Sequence, residues 1–83
     1  MSDQGRVAAR VGELVTQVLG LPPDGVGPGL SASTSAAWTS LNHLMLISQL
    51  ESEFGVVFSN QEVRELTSYS AIVAALTQRA SGA

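Results

Sequence analysis

The stretch WTSLNH, residues 38–43, sets Ser40 and the only histidine, His43, three residues apart. A hydroxyl with an imidazole one helical turn away is the beginning of nucleophilic catalysis, with the serine attacking and the histidine taking its proton. The rest of the machinery is missing. No third residue stands ready to orient the ring, and no glycine-rich turn offers backbone N–H groups to a developing oxyanion. Hydrolase chemistry is therefore not expected. A lone histidine without a carboxylate or second histidine at ligand spacing also makes no metal site. Two other roles are open to Ser40. It could cap the helix that follows, or it could carry a group, because exposed N–H donors and the positive dipole end at a helix start favour a phosphate. Thr39 could supply the cap equally well, which leaves one of the two hydroxyls free.

The elements that position these residues are legible from hydrophobic spacing. Val7, Val11, Leu14, Val15, Val18 and Leu19 recur as one face of an amphipathic helix over about 3–19. Ser2 or Asp3 can cap its start, and Gly20 before Leu21, Pro22 and Pro23 ends it. GLPPDGVGPGLSASTSAA, residues 20–37, then has no periodicity and reads as one long loop, with Leu21, Val26, Leu30 and Trp38 as its anchors. A second helix starts at Thr39 or Ser40 and runs to Phe54, with Gly55 as its C-cap. Ser59 with Glu62 forms a capping box, flanked by Phe58 and Val63 as a hydrophobic staple, so a short third helix covers about 60–66. Thr67 or Ser68 opens a fourth, in which Tyr69, Ile72, Val73 and Leu76 keep helical spacing before it frays near Arg79. The expected fold is all-α: a four-helix bundle with a short third helix and a long loop between helices one and two, in a single domain, 1–83, whose core spans about 3–79.

On helix two, His43, Leu46, Ile47, Leu50 and Phe54 share the arc that faces the core. His43 is thus expected to be structural, with a ring nitrogen on a carbonyl or a loop group. Leu41, Leu44, Met45, Ser48 and Ser52 fall on another arc, next to Ser40. Leu41 and Leu44 either tuck under the long loop or stay at the surface.

Composition narrows the classes further. A chain of 83 residues supports one small core, and 45% hydrophobic content suits a folded domain. Cysteine is absent, which excludes disulfides, thiol chemistry and cysteine-based zinc sites. Seven acids stand against Arg6, Arg10, Arg64 and Arg79, for a net charge of −3 without a basic cluster, so nucleic acid is not an expected partner. The N-terminal residues MSDQGRVAAR do not read as a secretory leader, and no apolar run approaches the roughly 20 residues of a membrane span. A cytoplasmic monomer with no membrane partner is expected.

Residues 38–76, WTSLNHLMLISQLESEFGVVFSNQEVRELTSYSAIVAAL, resemble the second half of an acyl carrier protein. In that family an Asp-Ser-Leu motif opens helix two, a Leu-Glu-x-Glu-Phe-Gly segment closes it, and a short helix and a Thr-Ser-capped helix follow. Ser40-Leu41, residues 50–55 (LESEFG), Phe58, Leu66 and Thr67-Ser68 match that pattern, and Val18-Leu19-Gly20 at the end of helix one extends it over nearly the whole chain. The resemblance implies that Ser40 carries 4′-phosphopantetheine, transferred from coenzyme A by a separate Mg²⁺-dependent phosphopantetheinyl transferase. It implies no catalysis by the chain itself. The arm's thiol would hold an acyl or aminoacyl group as a thioester, placed there by a loading enzyme and presented to a downstream synthase or transferase. The implied partner interface is Thr39, Leu41, Leu44, Met45 and Ser48.

Two departures refine that reading. Thr39 replaces the family's usual Asp, which implies slower modification or a dedicated transferase. Asn42 and Met45 replace residues commonly acidic in fatty-acid carriers, and Ala36 to Thr39 lack the glycine and histidine usual before the serine in peptidyl carriers. A freestanding carrier in polyketide or related specialised metabolism fits these departures. The alternative is an unmodified helical protein-interaction module with a carrier-like fold.

Overall fold

The computed structural model describes residues 3–82, with side-chain surroundings for 5–22 and 24–79. It contains four α-helices: α1 (Asp3–Leu19), α2 (Ser40–Phe54), α3 (Asn60–Glu65) and α4 (Tyr69–Gly82). The fold is the all-α four-helix arrangement that the spacing predicts, and no strand occurs among the described residues. The expected cap of α1 by Ser2 or Asp3 falls outside the described side chains. No described helix is long and apolar enough to cross a membrane.

Apolar residues at helical spacing explain which faces meet. Val7, Val11, Leu14, Val15 and Leu19 of α1 are buried, together with Leu46, Ile47 and Leu50 of α2 and Ile72, Val73 and Leu76 of α4. α1 packs against both α4 and α2. Phe58 and Leu66, on either side of α3, complete the same core, which Val63 joins from α3 itself. The loop contributes Leu30 and Trp38 as buried anchors, with Leu21 and Val26 partly buried against them.

The helix ends follow their capping residues. Gly20 and Gly55 take left-handed backbone, φ 69° and 64°, where a side chain would be strained. Gly20 N–H donates to the Thr16 carbonyl at 2.9 Å, and Gly55 N–H to that of Glu51. Ser59 and Glu62 form the reciprocal capping box at the start of α3. Of the two candidate caps before α4, Ser68 serves, its Oγ accepting from Ala71 N–H at 3.1 Å.

Three features differ from the expected outline. A single 3₁₀ turn, Pro23–Gly25, interrupts the loop, with proline at its start where no donor is needed. α4 continues to Gly82 instead of fraying near Arg79. Arg79 explains part of that extension, since its guanidinium pairs with Glu62 at 2.6 Å and lies over the Phe58 ring at 5.0 Å, tying the last turns of α4 to α3. The long loop is also held by backbone pairing. Ala32 N–H donates to the Thr67 carbonyl at 2.8 Å and Tyr69 N–H to that of Leu30 at 3.0 Å, framing an isolated bridge between Ser31 and Ser68.

Candidate functional site

Ser40 is the first residue of α2, and Thr39 is its N-cap. Thr39 Oγ1 accepts from Asn42 N–H at 3.1 Å, which satisfies a donor that the helix start leaves open. The Ser40 hydroxyl is exposed and has no hydrogen-bond partner among the described residues. The two adjacent hydroxyls thus divide the work, and the one nearer the helix body is free. Asn42 strengthens the same corner, its side-chain amide donating to the Ala37 carbonyl at 2.8 Å. This clamp gives Asn42 a structural role that its position on the helix did not suggest.

His43 is bonded at both ring nitrogens. Trp38 Nε1–H donates to Nδ1 at 3.0 Å, so Nε2 carries the ring proton and donates to the Val63 carbonyl at 2.6 Å. One imidazole therefore joins the loop end, α2 and α3. With both nitrogens committed, the ring is unavailable to Ser40 as a base, and a Ser/His catalytic pair does not form.

Beside Ser40 lies an open groove of about 360 Å³. Trp38, Leu44 and Val63 give it apolar walls, and Ser40, Arg64 and Thr67 also line it. His43 and, from the loop, Ala32 and Thr39 complete the lining. Its residues come from three separate parts of the chain, brought together because α3 and the pinned loop both pack onto the start of α2.

The residues expected to meet partners are all at the surface. Thr39, Ser40 and Ser48 are exposed, and so are Leu41, Leu44 and Met45 at 67%, 59% and 48%. Leu41 and Leu44 do not tuck under the loop, whose buried anchors are Leu30 and Trp38. Only Thr39, Ser40 and Leu44 of this set line the groove, while Leu41, Met45 and Ser48 do not. The acids of α2 point elsewhere. Glu51 Oε2 accepts from Phe58 N–H at 2.9 Å, and Glu53 Oε1 pairs with Arg10 of α1 at 2.8 Å. The Arg10 bond holds the Glu53 carboxyl below its ordinary range, and the bonds from Glu53 and then Glu13 raise the Arg10 guanidinium above its own. Glu62 is likewise lowered, first by the Ser59 N–H it accepts and then by Arg79.

Ala32, Val63 and Arg64 line the groove without a site signal of their own in the sequence. In the sequence Val63 reads as a staple residue and Arg64 as one charge among four. Val63 and Arg64 are the fourth and fifth residues of a short capped helix, which is the signal that could place them near the start of α2. No family model matches this chain, and no curated protein is significantly similar to it.

Proposed function

We propose that this protein is an acyl carrier, with Ser40 as the attachment point of a 4′-phosphopantetheine arm. The observation that carries the reading is the division of labour at residues 39 and 40: Thr39 caps the helix, and the Ser40 hydroxyl is exposed, unpartnered and beside a groove. The donor set suits the group. A phosphodiester on Ser40 Oγ would sit at the positive end of α2, which favours an anion, with Arg64 lining the same groove.

Attachment forms a bond from Ser40 Oγ to the phosphorus that bears pantetheine in coenzyme A. The pyrophosphate P–O bond breaks, adenosine 3′,5′-bisphosphate leaves, and the hydroxyl proton passes to a base on the transferase. The arm's terminal thiol would then hold an acyl or aminoacyl group as a thioester, a sulfur chemistry the cysteine-free chain cannot supply. The carrier's own residues present the group: α2 and the Trp38–His43–Val63 bonds fix Ser40 and its groove. A phosphopantetheinyl transferase, a loading enzyme and a downstream synthase or transferase are the partners this function requires. The apolar surface of Leu41, Leu44 and Met45 and the engagement of the α2 acids in bonds within the protein favour specialised metabolism, such as polyketide assembly, over fatty-acid synthesis.

A fluorescent coenzyme A analogue, with Mg²⁺ and a broad-specificity transferase, tests the proposal. Wild-type protein is labelled and Ser40→Ala is not; equal labelling of both overturns Ser40 as the site. The exposed apolar surface equally supports an unmodified interaction module, the reading to which an unlabelled wild type points.

A further inference from the structure

Arg64 is the one arginine or lysine lining the groove beside Ser40, and its guanidinium takes part in no ion pair or hydrogen bond among the described residues. The acids nearest to it in sequence are engaged elsewhere. Glu62 is held by Arg79 at 2.6 Å and by the Ser59 N–H at 2.9 Å, and Glu65 accepts from Gln61 at 3.2 Å. Arg10 and Arg79, by contrast, both have carboxylate partners. A cation in the last turn of α3 is favoured by the helix's carbonyl end, but that leaves its planar fork of N–H donors unused.

Resting on Ser40 as the attachment point, we propose that Arg64 receives the phosphodiester on Ser40, its fork spanning the two non-bridging oxygens, and so holds the first segment of the arm against the groove. The fork matches that oxygen pair in geometry and charge. The phosphorus is bonded directly to Ser40 Oγ, so the diester stays at the groove, whereas a charged group at the far end of the arm is free to leave it. Arg64 is therefore a positioning residue for the arm whatever acyl group is loaded. An arm held there would meet the apolar walls of Trp38, Leu44 and Val63.

The test uses the arm-bearing protein, with loading of wild type, Arg64→Gln and Arg64→Lys first established by intact mass. The ³¹P signal of the diester and the Arg64 Nε–H signal are then followed as salt is raised. In wild type, Arg64 Nε–H shifts when the arm is attached, and the ³¹P signal moves toward its free position as salt screens the pair. Arg64→Gln lowers the held fraction about two- to fivefold and flattens the salt dependence, while Arg64→Lys, a point charge, retains part of it. Without the arm, Arg64→Gln melts slightly below wild type, because only the cation at the carbonyl end of α3 is lost. A wild type that takes no arm overturns the attachment reading and this inference with it. Loaded proteins in which the Arg64 signal does not respond to the arm, or in which Arg64→Gln keeps the wild-type ³¹P profile, overturn the inference alone. So does a response seen only when the arm bears a carboxyacyl group, since that assigns Arg64 to the cargo.

Discussion

Trp38 and His43 are joined by a hydrogen bond from the indole Nε1–H to the imidazole Nδ1, 3.0 Å long, and the far side of the same ring donates to the Val63 carbonyl. Trp38 is 5% exposed, so its N–H has little access to water once His43 is changed. Replacing His43 with phenylalanine or lysine should cost about 1–3 kcal/mol, the penalty of an unpaired buried donor and a lost bond. That corresponds to roughly 4–8 °C in Tm for each kcal/mol in a domain of this size. Thermal melts followed by circular dichroism, with loading of Ser40 in the folded protein, check this. A fully stable variant that has lost loading would show that the ring serves the reaction and not the fold.

The two hydroxyls at the start of α2 should separate cleanly. Thr39→Ala loses the cap and should lower stability by about 0.5–2 kcal/mol, whereas Ser40→Ala should be nearly neutral. Thr39→Asp keeps the cap, adds a favourable charge at the helix start, and should speed transfer to Ser40. Equal destabilisation by Thr39→Ala and Ser40→Ala in denaturant melts would mean that the cap is shared.

Acid should loosen the inter-helix ion pairs. The Glu53 and Glu62 carboxyls are both held below their ordinary value of 4.5. A lowered folded-state value contributes stability that is present above the unfolded value and lost as pH falls through the folded one. Stability should therefore decline below about pH 4.5, as these carboxylates take up protons and release Arg10 and Arg79. The double variant Glu53→Gln with Glu62→Gln should show a shallower decline in melts run across that range. An unchanged slope would assign the acid sensitivity to other groups.

The outline of the fold was legible because its signals are local. The apolar spacing of α1 and α2, Gly20 and Gly55 at helix ends and the Ser59–Glu62 box each specify structure within a few residues. What was hidden depends on distance along the chain. The pairing of the loop with the α3–α4 junction runs through backbone atoms of Leu30, Ala32, Thr67 and Tyr69, which leave no side-chain signature. His43 was readable as a structural residue from its arc, but its two partners, Trp38 in the loop and Val63 in α3, were not. The groove gathers residues as far apart as Ala32 and Thr67, so no single stretch announces it. For the same reason Arg64 could not be told from any other surface arginine.

Partner recognition should be apolar more than electrostatic. Glu51 and Glu53 are both bonded within the protein, and Leu41, Leu44 and Met45 are what α2 shows near Ser40. Cargo transfer from the loading enzyme should therefore weaken only modestly with salt, and Met45→Glu should slow it substantially, since a flexible thioether suits a shallow apolar pocket. Transfer rates measured across ionic strength decide this. Strong salt dependence with an indifferent Met45→Glu would point to an acidic mode of recognition.

The central claim, that Ser40 carries the arm, is tested most directly by intact mass after incubation with coenzyme A, Mg²⁺ and several transferases, followed by peptide mapping. The account predicts a gain of one phosphopantetheinyl group on the peptide that contains Ser40, and no gain in Ser40→Ala. A wild type that stays unmodified with every transferase, or a group found on another serine, would contradict it.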